Sequence, residues 1–67
     1  MIVKNTFTHT FGNGLTVTVP AGARTQRIVG ETEHRWVDPS IFPRNSIERW
    51  DADHYGIRVP LSNIEEA

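Results

Sequence analysis

From Val3 to Phe11 the side chains alternate: Val3, Asn5, Phe7, His9 and Phe11 take the odd positions, and Lys4, Thr6, Thr8 and Thr10 the even ones. A period of two marks a half-buried strand. After Gly12-Asn13-Gly14 the pattern resumes in phase, with Leu15, Val17 and Val19 separated by Thr16 and Thr18. Loop length then decides the register. A two-residue turn at Asn13-Gly14 would pair Phe11 with Thr16 and set apolar side chains against the polar face. A three-residue loop instead pairs Phe11 with Leu15, His9 with Val17 and Phe7 with Val19, and stacks Thr10 on Thr16 and Thr8 on Thr18. This register is predicted, with Gly14 supplying the positive φ of the loop's bulge at no Cβ cost.

Pro20-Ala21-Gly22 closes the second strand, because proline has no N–H to donate. Arg24 to Val29 and His34 to Val37 flank Gly30-Glu31-Thr32-Glu33 and read as a second hairpin. A helix through Arg24, Arg27, Ile28, Glu31 and Arg35 is the competing drawing, and Gly30 in its middle opposes it. Asp38-Pro39 and Phe42-Pro43 punctuate a loop, since residues before proline avoid the helical region. Asn45-Ser46-Ile47-Glu48 places a capping-type residue, Asn45, three before Glu48, and Ile47 and Trp50 then share one face. A helix over about 46–53 is predicted, stopped by Gly56. Ile57-Arg58-Val59 forms a last short strand closed by Pro60. Ser62-Asn63-Ile64-Glu65 repeats the capping order, so one helical turn fraying into the C-terminus is expected there.

The expected fold is therefore mainly β, with about five short strands and one short helix before the last. A curled sheet or SH3-like barrel would close it, because curling removes exposed edges. The 67 residues have room for one domain, residues 1–67. With no cysteine, neither a disulfide nor a thiolate metal site can staple it. No run approaches the ~20 apolar residues of a membrane span, and the start lacks the basic-then-apolar order of a secretion signal. These features lead to the expectation of a soluble, unprocessed, cytoplasmic protein without a membrane partner, and homo-oligomerisation would add core area that so small a chain lacks.

Charge is balanced overall at −1 but unevenly spread. Residues 1–30 carry Lys4, Arg24 and Arg27 and no acid, whereas residues 31–67 carry all eight acids against four arginines. Such halves can neutralise each other on folding; alternatively the basic half forms a face for an anionic partner.

Catalytic signatures are missing. There is no cysteine nucleophile, no Gly-x-Ser-x-Gly elbow and no glycine-rich phosphate loop, and Ser40, Ser46 and Ser62 sit in turn or cap contexts. No enzymatic activity, cofactor or metal is expected. Asp51, Asp53 and His54 would make an oxygen-rich cation site if they converged, but their spacing matches no ligand pattern and suits a solvated helix end. His9, on the face of Phe7, Phe11 and Val17, is expected as a core histidine bonded to backbone or Asn5, the other reading being the mouth of a pocket. The threonine face, Thr6, Thr8, Thr10, Thr16 and Thr18, suits the solvated side of a sheet.

The large aromatic residues gather in the second half, where Trp36, Trp50, Tyr55 and Phe42 stand among Arg35, Arg44 and Arg49. Trp36 and Trp50 are expected to point into so small a core. Ile41-Phe42, between two prolines, is either a lid on the core or an exposed apolar contact. The leading expectation is a non-enzymatic protein–protein interaction module whose contact patch is Phe42, Arg44, Trp50 and Tyr55, oriented by Glu48, Asp51 and Asp53. Size and arginine usage suggest an accessory protein of a bacterium, phage or mobile element. The rival is a nucleic-acid binder using Arg24, Arg27 and Arg35 with Trp36 as a stacking platform, against which stand Glu31 and Glu33 in the intervening loop. A self-assembling structural subunit is the third reading.

Overall fold

The chain opens with β1 (Ile2–Val3), breaks at residues 4–6, and then forms the hairpin β2 (Phe7–Thr10) and β3 (Thr16–Val19) in the computed structural model, which describes residues 1–67. The register is the predicted one: Phe7 opposes Val19, Thr8 opposes Thr18, His9 opposes Val17 and Thr10 opposes Thr16. The loop closes through Phe11 N–H donating to Leu15 O at 2.8 Å and Gly14 N–H donating to Phe11 O at 2.9 Å. Gly14 has φ 91°, as the bulge requires. The threonine face is exposed, and the Thr10 and Thr16 hydroxyls meet at 2.9 Å.

The first strand is shorter than its alternation implies. The backbone turns away at Lys4, whose N–H donates to Asn63 O at 2.8 Å, and Asn5 exchanges two bonds with the Asn63 side chain, at 2.9 and 3.0 Å. Asn5 is thus exposed and removed from the Phe7–His9 face. The same contacts overturn the expected helical, fraying C-terminus. After a 3₁₀ turn at Leu61–Asn63 the chain runs into β7 (Ile64–Glu65), which pairs antiparallel with β1, Val3 opposing Ile64. Capping arithmetic is local and could not register a strand partner sixty residues away.

The second hairpin is present, excluding the helical drawing of residues 23–37. β4 (Thr25–Arg27) pairs with β5 (His34–Val37), and β6 (Arg58–Pro60) pairs with the other side of β5. β4 stops short of the expected end because Ile28 turns into the interior while Val29 is 96% exposed. Alternation divides this sheet. Thr25, Val37, Val59, Arg35 and Arg27 lie on one face; Gln26, Trp36 and Arg58 lie on the other.

Seven strands in three small sheets, ordered β1-β7, β2-β3 and β4-β5-β6, replace the expected five-stranded curl. The barrel does not close. Strands of two to four residues end before they can continue into one ladder, and a few bonds span the gaps instead: Val3 N–H to Ala23 O at 2.9 Å, Gly22 N–H to Val3 O at 2.8 Å and an isolated bridge between Ile2 and Arg24 on one side, and Val37 N–H to Ile57 O at 2.9 Å on another. One apolar cluster still unites all three sheets, with Val3, Val19, Ile57 and Val59 wholly inaccessible and Phe11, Val17, Val37, Phe42 and Ala52 nearly so.

α1 (Ile47–Tyr55) is capped by Ser46, whose Oγ accepts from Arg49 N–H at 3.1 Å, and ends at Gly56 with φ 76°. Its orientation corrects the expectation from sequence. Ile47 and Trp50 are 57% and 50% exposed, whereas Asp51 and Ala52 are buried. The helix docks on its small and polar face because Ile57, Phe42 and the β-strand valines already fill the core, leaving room for Ala52 but not for an indole. No helix is long and apolar enough to cross a membrane.

Candidate functional site

The outward face of α1 is built from residues that a globular core would normally take. Ile47 and Trp50 stand one turn apart, and His54 follows Trp50 by four residues, so the three share a stripe. The His54 ring lies flat on the Trp50 indole, with centroids 3.7 Å apart and planes 15° from parallel. Its Nδ1 sits 2.8 Å from Trp50 O, the geometry of an imidazole donating to a carbonyl near the helix end. Tyr55, 61% exposed, meets Trp50 edge-on at 6.1 Å and leans toward Phe11 at 6.3 Å. Beside this ridge a shallow depression is lined by Arg44, Ile47, Arg49, Trp50 and Asp53.

Of the contact residues expected from sequence, Arg44, Trp50 and Tyr55 are exposed and border this surface. Phe42 does not. It is buried among the core residues, so Ile41-Phe42 is a lid on the core. The preceding turn holds it there: Asp38 caps the 3₁₀ turn Pro39–Ile41 by accepting Ser40 N–H at 2.9 Å, and Phe42 N–H donates to Pro39 O at 3.0 Å. Those Ser40 bonds, from backbone first and then hydroxyl, hold the Asp38 carboxyl below its ordinary value, with smaller help from Gln26 and Arg24.

What turns α1 outward is a contact that residue patterns do not reveal. Asn13, at the tip of the β2–β3 hairpin, donates from Nδ2 to Asp51 Oδ2 at 2.8 Å, while its Oδ1 accepts Leu15 N–H at 3.0 Å. Asp51 is 1% exposed. A buried carboxylate without such a partner would be costly, so this bond fixes which side of the helix faces the sheet. It also separates Asp51 from Asp53, which is exposed, and from His54, which is occupied by Trp50; the three do not converge.

A second concave region lies between the hairpin tip, the end of α1 and β6, a cleft of about 540 Å³. His9, Trp36, Tyr55 and Arg58 supply its side-chain chemistry, and no acid lines it. The Arg58 guanidinium stands 5.3 Å from the Trp36 ring centroid, a cation–π contact, and the indole also packs on Gly56. His9 presents its ring to the edge of Phe11 at 4.8 Å, and lines the cleft instead of bonding to Asn5. Of its two readings from sequence, the structure matches the mouth of a pocket.

The arginine constellation of the rival reading is split by the pleat. Arg27 and Arg35 oppose each other on the face of β4–β5 away from Trp36. Arg35 is further engaged by Thr25, donating from Nε to Oγ1 at 2.8 Å and from Nη2 to the carbonyl at 3.2 Å. Arg24 immediately precedes β4, near Asp38. Arg58, which no pattern singled out, is the arginine that shares a face with Trp36, through their pairing across β5 and β6. Only knowing that β6 lies beside β5 would have found it. No protein-family model matches the chain, and comparison with curated proteins and with solved structures finds no match.

Proposed function

We infer that the protein is a non-enzymatic interaction module that engages a protein partner through the outward face of α1. The observation that carries this reading is the exposure of Ile47, Trp50 and Tyr55 on the only α-helix while its buried side is made of Asp51 and Ala52. Exposed tryptophan and tyrosine offer large contact area at little entropic cost, and Arg44 and Asp53 at the margin supply charge of both signs for orientation. The test is capture of partners from a bacterial lysate by tagged wild type and by Trp50→Ala, with and without nuclease, and with solution mass measured in parallel. A stoichiometric protein partner that survives nuclease and is lost in Trp50→Ala supports the reading. Equal capture by the variant, or a homo-oligomer and nothing else, overturns it.

The acid-free cleft favours one second reading, a site for single-stranded nucleic acid in which Arg58 meets phosphate and Tyr55 or Trp36 meets a base. It replaces the Arg24, Arg27 and Arg35 face. Capture that disappears with nuclease and with Arg58→Gln, and that weakens steeply as salt rises, would support it over the helix surface.

A further inference from the structure

The Asn13–Gly14 pair does more than turn the hairpin. Glycine after asparagine leaves the following amide nitrogen unshielded by a Cβ, so it can reach the asparagine side chain. The reaction is attack of Gly14 N on Asn13 Cγ: the new N–C bond closes a cyclic imide, the side-chain nitrogen leaves as ammonia, and water then opens the ring to aspartate or isoaspartate. In the folded protein both reacting groups are engaged in other hydrogen bonds. Gly14 N–H donates to Phe11 O at 2.9 Å, Asn13 Oδ1 accepts Leu15 N–H at 3.0 Å, and Asn13 Nδ2 donates to Asp51 Oδ2 at 2.8 Å. Attack needs the Gly14 N–H released and the Asn13 side chain reoriented, and these bonds restrain both.

We propose that Asn13 is a spontaneous deamidation site gated by its hydrogen bond to Asp51, and that the product uncouples the hairpin tip from α1. Deamidation exchanges the Nδ2 donor for a carboxylate oxygen facing Asp51, which is 1% exposed. A charge-assisted bond becomes a contact of two carboxylates, of which the Asp51 one is shielded from water while Asn13 stands at the exposed hairpin tip. The isoaspartate product goes further, inserting a carbon into the backbone of a three-residue loop whose register places Val17 and Val19 in the core. The modification therefore acts on stability and on the pose of the helix that carries Ile47 and Trp50.

The experiment has two arms. Intact protein and Asp51→Ala are incubated at mildly alkaline pH, and conversion at Asn13 is followed by peptide mass analysis. Asp51→Ala should react about tenfold faster, the factor expected when a charge-assisted bond that must open first is removed. In the second arm thermal unfolding is measured for Asn13→Asp and for the exchange variant carrying Asn13→Asp with Asp51→Asn. The single variant should lose roughly 10 °C in Tm. The exchange variant, with donor and acceptor swapped, should recover at least half of that loss. Equal deamidation rates, an Asn13→Asp protein as stable as wild type, or an exchange variant no better than the single one would overturn the proposal. Should Asn13→Asp fail to fold, recovery of folding by the exchange variant still decides it.

Discussion

The β2–β3 hairpin and α1 are both amphipathic in sequence, yet only the hairpin buries the side its pattern marks. In the hairpin, Val17 and Val19 are buried and Thr8, Thr10, Thr16 and Thr18 are exposed. In the helix, Ile47 and Trp50 face solvent while Asp51 is hidden. The hairpin is specified within twenty residues: alternation assigns two faces, and the loop length leaves one register that keeps them consistent. A nine-residue helix has weaker means of choosing its side. Its periodicity names an apolar stripe, but the place for that stripe must exist in the rest of the fold, and here the core is already filled by strands. Asn13 offers a specific partner on the opposite side instead. Local pattern is thus a guide to burial where the partner strand is adjacent in sequence, and a poor one where the partner is distant.

Substitutions can break this contrast at graded depths. The largest effect is expected for Gly56→Ala, where α1 ends against β5. A Cβ there would stand 2.5 Å from Trp36 Cζ3, and φ 76° with ψ 153° is a conformation that only glycine adopts freely. A loss of about 3 kcal/mol or more in urea unfolding is expected from strain and overlap together. Val19→Ala tests the hairpin. Val19 is fully buried, and removing its two methyl groups should cost about 2 kcal/mol by the same measurement. Ser46→Ala removes the helix cap and should cost about 1 kcal/mol, with helical ellipticity reduced.

Acid titration gives a further, smaller effect at the turn that carries Phe42. The Asp38 carboxyl is held below its ordinary value in the folded protein by the Ser40 bonds. Its contribution is therefore complete above the unfolded aspartate value, about pH 4, and is lost as pH falls through the lower folded value. Asp38→Asn should flatten that part of the stability–pH curve while leaving the neutral region's slope unchanged. At the other extreme, Ile47→Ser sharpens the comparison by doing almost nothing. With Ile47 57% exposed, stability should change by no more than about 0.5 kcal/mol, although it shares a helical face with Trp50, a residue expected to point inward. A loss near 2 kcal/mol would mean that the helix packs on its apolar side after all.

Much of the local architecture was readable from residues: the hairpin register, the second hairpin around Gly30, the helix and its Gly56 stop; the cap itself is Ser46, one residue after the Asn45 that the spacing to Glu48 marks. The shortening of the first strand was not, because Lys4 and Asn5 break away to bond Asn63, and nothing in the Val3–Phe11 alternation announces a competitor at the other end of the chain. The same blindness hid β7 and the division into three sheets. The candidate surface was legible in part. Composition singled out Arg44, Trp50 and Tyr55, which the fold leaves exposed, whereas Phe42 was placed inside by its 3₁₀ turn and Arg58 was brought to Trp36 by strand pairing.

By itself the sequence determined the elements governed by neighbouring residues. Alternation, turn glycines and caps act over a few positions, and their energies do not depend on what the rest of the chain does. Tertiary structure decided which face of each element is buried, how the strands group, and which charges meet. Those choices depend on space already taken by other side chains and on single polar partners such as Asn13 for Asp51, whose value arises only when burial removes the water that would otherwise serve both.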